Sequence, residues 1–359
     1  MITPSLIFPG RGRTRSLMIL GLSVALLGLV AGCFKMAVPE KKSATVILWP
    51  APPEIPRISF VNAISRPVDM GITESIMQGF LRYLSGKPET PMVNPHGLAV
   101  DAEGRLYVVD NYLRKVHVYD QKEQKYFLFP AKTPAFVSPI GIAVDDRRGR
   151  IYVTDSAEAV IRVFARDGGS QLAEIRSGGM GRPTGIAINP VTGELLVVDT
   201  MHSVILRFSL PDHSLKGVIG QEGKEAGRFH LPTHISVSPA GNIHVTDSLN
   251  FRVQVLSPEG KYVSTFGAAG DSPGFFSRPK GVAVDSDGNI YVVDALFDNV
   301  QVFSTEGKLL MSFGKPGKEL GEFWLPSGIF IDGKDMIYVS DSYNKRVQIF
   351  QYLKGGEQP

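Results

Sequence analysis

Cys33 is the only cysteine in 359 residues, and its solitude removes a set of chemistries. An internal disulfide needs two thiols, and the CxxC and CxxCH motifs of metal, redox and haem sites are absent with it. No glycine-rich loop stands in the strand-to-helix context that cradles phosphates. None of the seven histidines belongs to a recognisable Ser or Cys nucleophile motif. The first 33 positions hold no acidic residue. With no covalent staple, the fold must rest on packing alone.

What is present is repetition. Pro95, Pro139, Pro183, Pro232, Pro279 and Pro326 each open a short apolar run, at spacings of 44, 44, 49, 47 and 47 residues. Each run leads to an aspartate in register: Asp110, Asp155, Asp199, Asp247, Asp294 and Asp341. A period in the forties, made of several short strands, marks a propeller or a similar repeat array. The fifth copy reads Pro279-Lys-Gly-Val-Ala-Val-Asp285, a turn at Ser286-Asp-Gly288, Ile290-Tyr-Val-Val-Asp294, then Asn299-Val-Gln-Val-Phe303. Alternating β-branched residues punctuated by turn residues predict strands, and Leu309–Phe313 supplies a fourth. One four-stranded blade cannot bury both faces, whereas blades stacked in a ring can. The last copy stops at Arg346-Val-Gln-Ile-Phe350 without a fourth strand, and an orphan strand-like segment, Arg57–Ile64, precedes the first copy. The expected fold is all-β, a six-bladed propeller whose ring is closed by that N-terminal outer strand.

The pattern Pro-x-Gly-[Ile/Val]-Ala-Val-Asp, then Ile-Tyr-Val-x-Asp, then Asn-x-Arg-Val-Gln-Val resembles the NHL repeat. Asp247-Ser-Leu-Asn250-Phe-Arg252-Val-Gln-Val255 and Asp341-Ser-Tyr-Asn344-Lys-Arg346-Val-Gln-Ile349 carry it best. The resemblance spans residues 94–350 and the closing strand. It implies a propeller used for protein binding, RNA binding or, in a few branches, catalysis, and fold alone does not choose among these.

Arg11, Arg13 and Arg15 precede an apolar run from Leu17 to Val30, which has the shape of a signal peptide. The run ends Leu29-Val-Ala-Gly-Cys33 and resembles a bacterial lipobox, which implies lipidation of Cys33; the alternative is a buried cysteine after a retained membrane helix. Several acyl chains would anchor the protein stably. Phe34 after the Cys points to the outer membrane by the usual sorting rule, with the periplasmic and surface sides both open. Removing the three signal arginines from 38 basic residues leaves 35 against 35 acidic ones. A neutral exported protein lacks the clustered positive charge that nucleic-acid binding requires, so no nucleic-acid partner is expected. The expected organisation is a lipoprotein signal peptide over 1–32, lipidated Cys and Pro-rich tether over 33–56, closing strand over 57–65, an insertion over 66–93, six blades over 94–350 and a tail over 351–359. Within the insertion, Ser75–Gln78 resembles a capping box and leads a short amphipathic helix carrying Phe80, Leu81 and Leu84.

An aspartate present in all six copies suits a turn-capping role, since chemistry needs its residue once. Asn250, Asn344, Arg252 and Arg346 are read in the same way, as ties between loops. Positions where the copies differ are more informative about function. The residue after each proline is His96, Ile140, Thr184, Thr233, Lys280 or Ser327; the next is glycine except for His234. His96 and His234 are therefore the candidate metal ligands at the channel mouth. Peptidyl-hydroxyglycine lyase propellers resemble NHL proteins and hold zinc on three histidines, of which only His96 has a counterpart in place. Lactonase-type calcium sites need oxygen ligands, and these positions carry no carboxylate. His117 and His244 lie within strands and are expected to face a blade surface. The loops between second and third strands contain Tyr112, Met201, His202, Leu249, Phe251, Leu296, Phe297 and Tyr343. Of these, Tyr112, Phe251, Phe297 and Tyr343 are the expected partner-binding face.

The leading expectation is a lipid-anchored cell-envelope propeller acting as a non-enzymatic scaffold for an envelope protein or peptide, with no cofactor beyond the covalent lipid. The alternative is a lyase- or lactonase-like enzyme with a metal near His96 and His234.

Overall fold

The second strand of each repeat carries a run of mostly apolar residues ahead of its closing aspartate, so both of its faces need cover. A computed structural model, describing residues 47–73, 90–130, 136–177 and 179–354, provides that cover by stacking sheets. Leu106–Asp110, Ile243–Asp247 and Ile290–Asp294 are buried at every residue. The described strands form six antiparallel sheets, five of four strands and one of five. Each innermost strand packs beside that of the next sheet, and the last, Ile329–Ile331, lies beside the first, Pro95–Val100. The chain is a six-bladed β-propeller without an α-helix among the described residues.

Closure occurs in the sixth blade. Ile58–Ile64 pairs antiparallel with the final strand, Arg346–Tyr352, in the register Ile58↔Tyr352 and Phe60↔Phe350. The expected closing strand is therefore in place, and the sheet extends further at both ends than composition suggested. Leu48–Trp49 adds a fifth strand against Ile58 and Ser59. The Trp49 ring sits 5.8 Å from Phe313 and 5.6 Å from Phe350. The proline-rich stretch read as tether up to residue 56 thus includes two apolar residues with a sheet edge to pair with. The tail assigned from residue 351 likewise begins inside the last strand, and Leu353 is buried with its N–H donated to the Arg57 carbonyl at 2.8 Å. The signal segment, Cys33, the tether up to residue 46, the helix expected after Ser75 and residues 355–359 lie outside the described residues. At the two described ends of the insertion, Ile72 and Met92 are buried against Ile64, Leu98 and Val347.

Between blades, phenylalanines act as wedges. Phe136, Phe229, Phe276 and Phe323 are completely buried in the incoming connections. Phe136, Phe276 and Phe323 meet the third-strand rings of Phe164, Phe303 and Phe350 at 5.5, 5.6 and 5.8 Å. Three connections begin with glycine at positive φ, Gly220, Gly267 and Gly314. A Cβ there would lie 2.4, 2.2 and 2.4 Å from the ring of Phe229, Phe276 or Phe323, so only glycine lets the ring seat.

Because Trp49 is joined to the ring only through this added strand and its aromatic contacts, Trp49→Ala should lower the free energy of unfolding by about 2 kcal/mol. Urea denaturation reads this directly, and an unchanged midpoint would remove residues 48–49 from the closing sheet.

Candidate functional site

Antiparallel pairing sets the repeat proline opposite the repeat aspartate: Pro95↔Asp110, Pro139↔Asp155, Pro183↔Asp199 and Pro279↔Asp294. The start of each innermost strand and the end of each second strand therefore share one mouth of the channel. The loops between second and third strands and the connections entering each blade gather on that same face.

The six aspartates hold this face together, as a structural role requires. All are almost completely buried. Val93 N–H donates to Asp110 at 2.7 Å, Val137 to Asp155 at 2.7 Å and Gly181 to Asp199 at 2.7 Å. His230 donates to Asp247 at 2.6 Å, Ser277 to Asp294 at 2.7 Å and Trp324 to Asp341 at 2.8 Å. Each carboxylate thus fixes the incoming connection about 17 residues upstream. Asn250 and Arg252 reinforce Asp247 and reach the carbonyls of Gly223, Glu225 and Arg228 in that connection. Asn344 and Arg346 do the same around Asp341. The side chain after each aspartate then bonds the next blade: Asn111 to the Pro139 carbonyl, Thr200 to that of Pro232 and Ser342 to that of Pro95. In blade five this position is Ala295, which has no such donor.

With the backbone fixed, the residue two places past the aspartate stands out from the face. Tyr112 is 72% exposed, Met201 67%, Leu249 48%, Leu296 54% and Tyr343 57%. Trp324, exposed in the incoming connection of blade six, lies 5.6 Å from Tyr343 with the Lys318 ammonium over its ring. The result is an apolar rim around the mouth. Of the four aromatics chosen from sequence, Tyr112 and Tyr343 belong to this rim. Phe251 instead packs down on the core containing Phe276 and Phe303, and Phe297 is half-buried. Residue type was the weaker signal; offset from the aspartate was the stronger one, and it adds Met201, Leu249 and Leu296.

Inside the rim lie the variable positions of the innermost strands. His96, His234 and Lys280 interact electrostatically with one another across the mouth. Protein surrounds them, yet each residue keeps partial solvent exposure. Burial, with the Lys280 charge, pushes His96 down to about 4 and His234 to about 3. Burial, with the charges of Arg278 and Arg182, lowers Lys280 to about 8. His234 Nδ1 sits 3.0 Å from Thr233 Oγ1. Two imidazoles in one mouth do not complete a metal site, and no group of three or more His, Cys, Asp or Glu suited to a metal occurs among the described residues. From sequence Lys280 was one of the variable set and, with His96 and His234, a candidate for the enzyme reading.

The other histidines are elsewhere. His117 and His244 are buried rather than placed on a blade surface, because stacking covers both faces of inner strands. His117 bridges Tyr126 at 2.8 Å and Asp110 at 3.5 Å, taking the place that Gln254 and Gln348 occupy beside Asp247 and Asp341. His202 contacts Asp199 at 2.8 Å. At the opposite mouth a cavity of about 560 Å³ is lined by Asp145, Asp146, Asp285, Asp332 and Asp335, with Arg147 and Arg148.

Comparison with known proteins agrees with this architecture. A family described as 6-bladed beta-propeller matches residues 285–356. No curated protein matches the chain. Fold and family description agree on six blades. Among solved structures the chain is similar to a streptogramin B lyase, at 13% identity and TM-score 0.55 over 74% of this chain and 95% of that one. It is also similar to an auxiliary nutrient binding protein from Bacteroides thetaiotaomicron, at 14% identity and TM-score 0.58 over 73% and 70%. A chain of a nidogen/laminin complex aligns at 20% identity and TM-score 0.56 over 68% and 86%. Identities this low speak for the fold alone.

The buried imidazoles make acid sensitivity a consequence of the mouth. His96 and His234 have folded values below the ordinary 6.5, so between pH 6.5 and about 4 the unfolded chain binds more protons. Their contribution to stability is complete above pH 6.5 and is lost as the pH falls through that window. The urea midpoint should drop from pH 6.5 to 4, and His234→Gln should flatten part of the drop. An identical pH profile for the variant would contradict a neutral buried His234.

Proposed function

We propose that this chain is a lipid-anchored component of a bacterial cell envelope, related to NHL-repeat propellers, that binds a protein or peptide through its loop-bearing face and performs no chemistry on it. The observation that carries this reading is the rim. Tyr112, Met201, Leu249, Leu296 and Tyr343 are large, apolar and exposed at the same offset in five blades. Apolar side chains grouped on one face around a concave mouth are the usual composition of an interaction surface. Their backbones are fixed by the buried aspartates, which lowers the ordering cost of binding. The propeller likeness to an auxiliary nutrient binding protein and to a chain from a nidogen/laminin complex fits a binding role, while identity is too low to transfer a ligand. The anchor rests on the residues before the propeller, the apolar run closed by Ala31-Gly32-Cys33. The outer membrane is the proposed address, and the covalent lipid the only added group.

A second reading has one observation in its favour. His96 and His234 share a mouth, as a lyase- or lactonase-like metal enzyme would require, and a streptogramin B lyase has the same fold. It lacks a third ligand among the described residues.

Affinity capture from the native envelope separates the two. Tyr112→Ala combined with Tyr343→Ala should weaken capture of the partner roughly tenfold or more, with the melting temperature unchanged because both side chains are exposed. Equal capture by the double variant would remove the face from the account. One equivalent of zinc or calcium in the purified protein, with no captured partner, would favour the enzyme.

A further inference from the structure

Three basic groups at the loop-side mouth, Lys280, Arg182 and Arg278, form no ion pair among the described residues. Lys280 occupies the position after the repeat proline in blade five. Its ammonium makes no hydrogen bond or ion pair with another described residue. The neighbouring position that carries a hydroxyl or amide in the other five blades is Ala295, so blade five offers Lys280 only a methyl group. Arg182 and Arg278 stand immediately before the prolines of blades three and five. Their backbones are held twice, by N–H donation to Asp199 at 2.9 Å and Asp294 at 3.0 Å and by carbonyls accepting from Thr200 and Ala295. His234 presents its ring to the same space with Nδ1 engaged by Thr233.

None of the nearby repeat carboxylates forms an ion pair with Lys280, Arg182 or Arg278 among the described residues. Asp199 and Asp294 accept backbone N–H groups of the connections, and Asp110 does the same in blade one. Lys280 is half-buried, and the charges of the exposed Arg278 and Arg182 at the same mouth add repulsion to its desolvation. The missing element is an anion. Guanidinium and ammonium groups are both donors suited to the oxygens of an oxyanion.

We infer that the mouth, formed by Lys280, Arg278, Arg182 and His234, receives an anionic oxygen group of the ligand, a carboxylate or a phosphoryl or sulfate group, while the apolar rim covers the rest of that ligand. This rests on the binding-face reading and specifies the chemistry of what is bound.

The test uses the full chain and simple oxyanions. Sodium acetate, phosphate and sulfate are titrated separately at pH 7, against sodium chloride at matched ionic strength, and thermal stabilisation and calorimetric heat are read. At least one oxyanion should stabilise the protein saturably beyond chloride. Acetate as the best probe identifies a carboxylate, and phosphate or sulfate a tetrahedral group. Lys280→Met should weaken that probe roughly tenfold or more. Because the substitution removes a buried cation from beside two arginines, the anion-free melting temperature should be no lower than that of the native protein, which reports that the variant folds. Arg278→Met provides a second variant on an exposed residue. Binding should also fall between pH 7 and 9 as Lys280 loses its proton, since Arg278 and Arg182 stay charged and His96, His234 and Asp110 do not titrate there. No saturable effect of any oxyanion, or equal binding by folded Lys280→Met, overturns the inference. The two claims fail separately. Rim-dependent partner capture without oxyanion binding would sink only the anion site; oxyanion binding without capture would sink only the partner-binding face.

Discussion

A buried carboxylate at the end of each second strand is the interaction on which the rest of this propeller depends. It accepts the backbone N–H groups of a connection that arrives from the preceding blade, as Asp294 does with Ser277 and Arg278. In the same position it accepts from the turn that follows, as with Leu296. Those amides would otherwise be left without partners at a crowded edge, and each unpaired one costs about 1–3 kcal/mol. Charge-assisted bonds to a group excluded from water are among the stronger ones available. One residue per repeat therefore joins strand, turn and incoming loop, and repeating it six times turns an edge made of loops into a fixed surface.

That common frame lets variation be read as function. Where the copies agree, the residues tie blades together: the aspartates, the wedge phenylalanines and the side chains that reach the next blade's proline carbonyl. Where they differ, they decorate a surface already held in place. The two mouths are lined differently, with Arg182, Arg278 and Lys280 at the loop-rich one and aspartates beside Arg147 and Arg148 in the cavity at the other. Apolar rim and basic centre are the two features on which the proposed anion site rests.

Much of the fold was legible from sequence because it is written six times, and an error in one copy is outvoted by the others. The proline-to-aspartate spacing located the first two strands, and the incomplete last copy pointed to Arg57–Ile64 as the closing strand. Single-copy features were harder to read. Leu48 and Trp49 were hidden in a proline-rich segment, because strand addition there depends on an edge that exists only after the ring closes. His117 and His244 were expected to face a blade surface, and periodicity within a strand does not reveal that a neighbouring blade buries that face. At the candidate site, Phe251 was chosen for its aromatic ring. Its backbone lies in the left-handed region at φ 53° and its ring packs on the blade core. Lys280 was visible, but the absence of an acidic partner is a three-dimensional fact.

The central claim is that the loop face is held rigid by the buried aspartates before any ligand arrives. Native-state hydrogen exchange measures this at the donors themselves. The amides of Val93, Val137, Gly181, His230, Ser277 and Trp324 lie in surface connections, yet each should exchange as slowly as amides of the adjoining strands. Rapid exchange at these six positions, with the strands protected, would contradict the account and leave a loop face that orders only on binding.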